Sequence, residues 1–258
     1  MIANYHTHTW RCGHAYGTER EYIEKAIGSG LQVLGFSDHT PYFYPGGFVS
    51  RDKMLPSQLE GYITVLSDLR REYQDDIRIH IGLEVEYYPA LWDKLMDFLA
   101  QYPIEYMILG QHYLDNEIED HKYGAVPTRS AQRLHKYCTQ CMEALETGKF
   151  LYFAHPDLLN FIGDEEAYEE EMTALCRFCL ERSIPLELNL LGLREGRNYP
   201  RTLFWKIAGR VGNTVVYGSD AHRPEHVCSP AVIAKADSML RRCGVPGERV
   251  ASILPVTQ

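Results

Sequence analysis

Short apolar runs alternate along this chain with longer stretches in which apolar residues return every three or four positions, the pattern of βα units that feed a parallel sheet. Seven runs read as strands: "IANYH" (2–6), "QVLGFS" (32–37), "IRIHIGLEV" (77–85), "EYMILGQ" (105–111), "FLYFA" (150–154), "IPLELNL" (184–190) and "NTVVYGS" (213–219). The stretches between them carry helix signals. Thr18 followed three residues later by Glu21 is a capping-box pair, and "EREYIEKAIGSG" closes on Gly28 and Gly30, residues suited to a helix C-terminus. A helix there would return the chain from the first strand to the second. The acidic run "GDEEAYEEEM" favours the start of another helix through the macrodipole, and reads as a solvated face rather than a metal site. No repeat, low-complexity tract or Pro/Gly/Ser-rich linker interrupts the pattern, so residues 1–258 are expected to form a single α/β domain.

Composition narrows the classes of partner. Asp and Glu number 35 against 26 Lys and Arg, a net charge of −9 that should repel nucleic acid and acidic membrane surfaces. A small anionic ligand stays compatible with this balance if bound cations supply local positive charge. The opening "MIANYHTHTW" lacks a basic region followed by an apolar run, and no stretch approaches the roughly 18 apolar residues of a membrane span, so a cytoplasmic protein is expected. Seven cysteines without a secretory signal point to free thiols. Two CxxC pairs, Cys138 with Cys141 and Cys176 with Cys179, fall in helix-period stretches rather than in tight turns, which favours buried apolar thiols over zinc ligands.

The residues at the strand ends change the picture. They are "HTH" (His6, His8), "DHT" (Asp38, His39), "EVE" (Glu84, Glu86), "QHY" (Gln111, His112), "HPD" (His155, Asp157), "NLLGLREGR" (Asn189, Arg194, Arg197) and "SDAH" (Asp220, His222). His6 and His8 are two apart, so on a strand both imidazoles point to one face; an isolated HxH is equally an ordinary pair of polar loop residues. In a barrel of parallel strands the C-terminal ends meet on one face, where active sites are assembled. There His6, His8, His14, His39, Glu84, His112, His155, Asp220 and His222 would converge. Nine such donors crowded together without cations would be poorly satisfied, whereas a multinuclear centre of zinc, manganese or iron explains them jointly.

At this point the sequence resembles a known family. "HTHTWRCGHAYGTEREYIEKAIGSGLQVLGFSDHTP", "GLEVEYYP", "ILGQHYL", "FAHPDLL", "ELNLLGLREGRNYP" and "GSDAHRPEHV" resemble, in order, the blocks of the histidinol-phosphate phosphatases of the PHP (polymerase and histidinol phosphatase) superfamily. The resemblance spans the first strand to about residue 230. It implies a distorted (β/α)7 TIM-like barrel with three divalent metal ions at the C-terminal ends of the strands. It also implies that His6, His8, Glu84 and Asp220 hold one ion, that Glu84 bridges to a second held by His112 and His155, and that His14, His39 and His222 hold the third. Asn4 departs from the Asp that many relatives place before the HxH pair, which concerns support of the histidines rather than the ligands.

The implied reaction is hydrolysis of a small phosphate monoester, L-histidinol phosphate, by a metal-held hydroxide attacking phosphorus in line. Asp220, or a water near His222, would protonate the leaving alkoxide. Arg194 and Arg197 sit where the family places phosphate-contacting basic residues, and guanidinium groups bind phosphate through paired hydrogen bonds. The aromatic stretch "TPYFYPGGF" after His39 is either a wall for an imidazole ring or a packed loop. Hydrolysis of another small phosphomonoester and a PHP-type nuclease are the alternatives, the second disfavoured by the acidic balance.

Overall fold

A computed structural model describes residues 1–249. The strands are β1 (Ala3–Asn4), β2 (Val33–His39), β3 (Arg78–Val85), β4 (Tyr106–Leu109), β5 (Phe150–Phe153), β6 (Leu186–Asn189) and β7 (Val215–Gly218). They occur in one sheet in the order β1-β2-β3-β4-β5-β6-β7, sequence neighbour beside sequence neighbour. Eight α-helices lie among the described residues: α1 (Glu19–Gly28), α2 (Leu59–Glu72), α3 (Trp92–Leu99), α4 (Ala131–Glu146), α5 (Glu165–Glu181), α6 (Leu190–Glu195), α7 (Thr202–Val211) and α8 (Pro230–Arg242). Parallel strands in sequential order, with helices between them, are the α/β arrangement of the distorted (β/α)7 TIM-like class. No helix among the described residues is long and apolar enough to cross a membrane.

The chain groups into two compact units. The first comprises 1–108 with 218–229, and the second 109–217 with 230–249 of the described residues. In the first unit β2 and β3 pair in parallel along their whole length, from Val33 opposite Arg78 to His39 opposite Glu84. All seven residues of β2 are buried, as expected of a strand covered on both faces. Helix α2 covers this region with Leu59, Tyr62, Ile63, Leu66 and Leu69, an apolar stripe at helical spacing. Helix α1 begins with the anticipated capping box, Thr18 and Glu21 each bonding the other's backbone.

The interior of this sheet has a specific niche. Tyr106 is buried and lies over the backbone of Gly35 in β2 and Gly82 in β3, where a Cβ would come within 2.3 Å and 2.4 Å of its side chain. Its hydroxyl donates to the carbonyls of Tyr5 and Phe36, both at 2.9 Å. The two glycines are therefore required by close approach rather than by a turn.

In the second unit α5 packs on α4 and on α7. The acidic run opens α5 as expected, with Asp164 accepting from the Ala167 amide at 2.9 Å. Cys138 and Cys141 lie in α4, Cys176 and Cys179 in α5, and all four are buried with their thiols pushed well up by burial. They behave as small apolar residues, and all seven cysteines are free thiols.

Candidate metal centre

The first unit gathers seven of the nine sequence-predicted ligands. Thr7 forms a parallel bridge with Ala221 on one side and accepts from Ser37 of β2 on the other: Ser37 N–H donates to Thr7 O at 2.8 Å, and Ala221 N–H to His6 O at 3.2 Å. Thr7 is thus locked, so His6 and His8 project together from the opposite face, with ring centroids 5.2 Å apart. Asp38 and His39 do not follow β2 but end it, and Glu84 lies within β3 directly opposite His39. Full-length pairing of two buried strands carries the ladder through these polar positions, so their side chains are held by strand backbone rather than by loops.

The distances are those of a donor set around cations. His6 Nε2 stands 3.6 Å from Glu84 Oε1 and 3.6 Å from Asp220 Oδ1, and His8 Nε2 stands 3.6 Å from Glu84 Oε2 and 3.1 Å from Asp220 Oδ1. His39 Nδ1 lies 3.0 Å from Glu84 Oε2. Neither ring nitrogen of His8 makes a hydrogen bond of acceptable geometry, although the side chain is wholly buried. Two ligands about 2.0–2.1 Å from one tetrahedral ion stand about 3.3 Å from each other, which these spacings bracket. Glu84 lies against three imidazoles, those of His6, His8 and His39.

A second observation comes from His14 and His222. The Nδ1 of His14 contacts the Cys12 carbonyl at 3.0 Å, and the Nδ1 of His222 contacts the Asp220 carbonyl at 3.1 Å. A carbonyl only accepts, so hydrogen-bond chemistry assigns the proton of each neutral ring to Nδ1. The two Nε2 atoms then face each other with lone pairs 3.0 Å apart. That opposition is repulsive unless a cation sits against both, and His39 completes a three-imidazole group with them. Burial, with the charge of the neighbouring His8, holds both rings below the usual histidine range, whereas Asp220 and Asp38 outweigh burial and hold His8 itself well above it.

The same unit holds further residues around these donors, of which the motifs did not single out Cys12. Cys12 forms a further close group with His8 and His222. Its thiol donates to the Thr9 carbonyl at 3.2 Å, and burial pushes it up to about 11. Asp38, wholly buried, has Oδ1 3.5 Å from His8 Nδ1. Burial alone would raise its carboxyl, but His8 and the Thr9 hydroxyl outweigh that and hold it below the usual range. Asp220 is likewise held well below that range, burial being outweighed by His6 and His8. Asn4 bonds backbone groups and Thr7 rather than the imidazole rings: its amide donates to Thr7 Oγ1 at 2.8 Å, and its oxygen accepts from the amides of His6 (3.2 Å) and Ser219 (3.0 Å). An amide supplies both donor and acceptor there, so Asn4 ties β1 to the segment after β7.

The stretch after His39 is a packed loop in large part. Tyr42 and Tyr44 are buried and lie against Tyr88, while Phe48 and Val49 are exposed. Beneath them Lys53 and the Tyr88 hydroxyl both donate to the Glu86 carboxylate, and the Tyr42 hydroxyl donates to the Glu86 carbonyl.

In the second unit His112 and His155 are both buried, with ring centroids 4.9 Å apart. Tyr123 stacks on His112 at 5.8 Å, and Tyr199 lies 5.7 Å from His155. Asp157 is fully buried and burial pushes its carboxyl up to about 7. Arg194 does not lie in a loop: the Asn189 side chain accepts from the Gly192 amide at 2.8 Å and starts α6, which carries Arg194 half-buried in its last turn. Arg197 follows that helix, exposed, paired with Glu195 at 2.7 Å and donating to the Tyr199 hydroxyl at 2.9 Å.

Fold and donor set together define a metal-binding α/β barrel protein. Residues 4–190 match the PHP domain family, and the chain belongs to that family. A "Probable histidinol-phosphatase" of Deinococcus radiodurans is 28% identical over 238 residues, 88% of each chain. The histidinol-phosphatase of Bacillus subtilis is 26% identical over 249 residues, 84% of this chain and 92% of that one. The crystal structure of the Lactococcus lactis histidinol phosphate phosphatase, complexed with Zn, L-histidinol and phosphate, superposes with a TM-score of 0.73 at 20% identity, covering 94% of each chain.

Proposed function

We propose that this chain is a metal-dependent phosphoric monoester hydrolase acting on L-histidinol phosphate, and that it works as one PHP-type domain in the cytoplasm. The observation that carries the reading is the pair of carbonyl-anchored imidazoles, His14 and His222, whose Nε2 atoms oppose each other at 3.0 Å beside a cluster of buried carboxylates and histidines. Imidazole and carboxylate donors fit zinc, manganese or iron(II), and we propose three ions. His6, His8, Glu84 and Asp220 are assigned to one, His14, His39 and His222 to another, and His112 and His155 are assigned as ligands from the family pattern. Bound divalent ions lower the pKa of water and neutralise charge on a phosphoryl oxygen.

The protein's own residues do the rest. Glu84 and Asp220 bring negative charge that offsets the cations, and their burial keeps bulk water from screening the site. Asp220 Oδ1 lies 3.3 Å from His222 Nδ1, and because Asp220 is held ionised, a water beside Asp220 and His222 is assigned to protonation of the leaving alkoxide. Arg194, the less exposed of the two arginines, is assigned to substrate phosphate. Arg197, already neutralised by Glu195, is assigned a weaker share in the same contact. The acidic net charge supports a small-molecule substrate over nucleic acid.

The test is phosphate release from L-histidinol phosphate by protein loaded separately with zinc, manganese and iron(II), with Asp220→Asn as the blank. Turnover of about 1 s⁻¹ or more that vanishes in the variant is expected. Metal uptake without turnover of this substrate, but with turnover of a sugar phosphate or another amino-alcohol phosphate, would move the specificity and keep the chemistry. No hydrolysis of any phosphomonoester by metal-loaded protein would refute the reading.

A further inference from the structure

Behind the imidazole cluster runs a buried chain of polar side chains that the reaction itself does not use. Glu19, in the first turn of α1, accepts from Arg11 Nη1. The same Nη1 lies 3.3 Å from Thr9 Oγ1 and donates to it, and the Thr9 hydroxyl in turn donates to Asp38 Oδ2. The other carboxylate oxygen, Oδ1, accepts from the His39 amide at 2.9 Å and faces His8 Nδ1 at 3.5 Å. Every member is buried, with Arg11 the most exposed at 8%. Arg11 is further fixed between aromatic faces, 4.8 Å from the Trp10 ring and 5.7 Å from that of Tyr62.

The direction of the bonds has a chemical meaning. Arg11 has no acceptor, so it turns the Thr9 oxygen into an acceptor and commits the Thr9 proton to Asp38. The Arg11 and Glu19 charges cancel, which leaves Asp38 as the one net charge of the chain, and it faces an imidazole. A buried ion pair of this kind is weak support for stability, because well-packed apolar residues of similar volume often serve equally well. The chain also ends on a histidine whose two nitrogens are buried without hydrogen bonds. A carboxylate behind a ligating imidazole fixes the ring's tautomer and orientation, and losing such a partner lowers metal affinity about 10–100-fold.

We propose that Asp38, Thr9 and Arg11 are positioning residues that bias His8 toward the Nδ1-protonated tautomer for metal binding, Asp38 through its charge 3.5 Å from Nδ1 and the other two by pinning the Asp38 carboxylate. The proposal rests on the metal-centre reading above. Its test uses the full chain and the zinc ion alone, titrated against a chromophoric chelator, with the melting temperature of the metal-free protein recorded for each variant. Asp38→Asn and Thr9→Val should each weaken zinc binding by about 10–100-fold. Thr9→Ser, which keeps the hydroxyl, should restore wild-type affinity, and Arg11→Met should fall between. Zinc affinity equal in Thr9→Val and Thr9→Ser would overturn the proposal, as would metal-free melting points that drop in every variant while affinity holds. Should Asp38→Asn fail to fold, the Thr9 pair decides alone. Absence of zinc uptake by the unsubstituted protein would refute the metal centre itself, an outcome distinct from failure of the relay.

Discussion

Replacing Gly82 by alanine should damage the first unit severely for so small a change. The new Cβ would lie 2.4–2.6 Å from Cε1, Cζ and Cδ1 of Tyr106. Carbon atoms in good contact are about 3.5–4.0 Å apart, so the ring would have to retreat by about 1 Å. Its retreat is blocked. The hydroxyl is tied to two buried carbonyls at 2.9 Å, and the ring meets Tyr5 edge-on with centroids 5.6 Å apart. Overpacking of this kind costs about 1–3 kcal/mol, and loss of a hydrogen bond to a buried carbonyl adds about 1 kcal/mol, for a total of about 2–4 kcal/mol. For a chain of this size, that corresponds to a melting temperature lower by about 4–16 °C in the metal-free protein. Removing the obstruction provides the control: in a Tyr106→Val background the same Gly82→Ala change should cost at least about 1 kcal/mol less, within the usual range of coupling between contacting residues. Because Gly82 lies two residues before Glu84 on β3, weakened zinc binding should accompany the lost stability. A Gly82→Ala protein that melts within about 0.5 kcal/mol of wild type, or an equal cost in both backgrounds, would refute the packing account.

Three further outcomes are expected. His8→Ala should lose bound metal and phosphatase turnover together, and metal analysis of the purified variant beside the wild type checks this. Chelator treatment should abolish turnover and destabilise the fold, with zinc at about 100 times its dissociation constant restoring about 2.7 kcal/mol, read as a shift in melting temperature. Arg133→Met should remove a pH-dependent contribution. Asp120 is held below its ordinary value because Arg133 (2.8 Å and 2.7 Å) and the Leu114 amide (2.9 Å) outweigh the effect of burial. A depressed carboxyl stabilises the fold above its unfolded pKa of about 3.9 and ceases to do so as pH falls through the lower folded value. The stability gap between wild type and variant should thus be constant above about pH 5 and close in acid; urea midpoints across that range measure it, and a gap independent of pH would count against the pairing.

What could be read along the chain and what could not differ in physical kind. The seven strands announce themselves because burial on both faces demands unbroken apolar runs, and α1 and α5 do so because their first turns need capping oxygens and acidic charge that only local residues supply. The HxH geometry follows from the period of extended backbone and holds once Thr7 is tied to Ala221 by a bridge and to Ser37 by a hydrogen bond. Strand ends are less legible, because pairing rather than composition decides them: β2 runs on through Asp38 and His39 since β3 offers a ladder partner for each. The helix that carries Arg194 is hidden for a similar reason, Asn189 serving as its cap while reading as part of the sixth strand. Least visible are relations that exist only in three dimensions. Nothing near Gly82 hints that Tyr106 will need its missing Cβ, and nothing near His14 shows that its lone pair will meet that of a histidine 208 residues away. The candidate donor residues were legible as a set of types at strand ends, whereas the carbonyls that contact His14 and His222 and the Arg11–Thr9–Asp38 chain behind His8 required the fold. The proposed metal centre would therefore be specified twice, once by donor residues placed where parallel strands end, and again by neighbours whose only recognisable feature is the direction in which they donate.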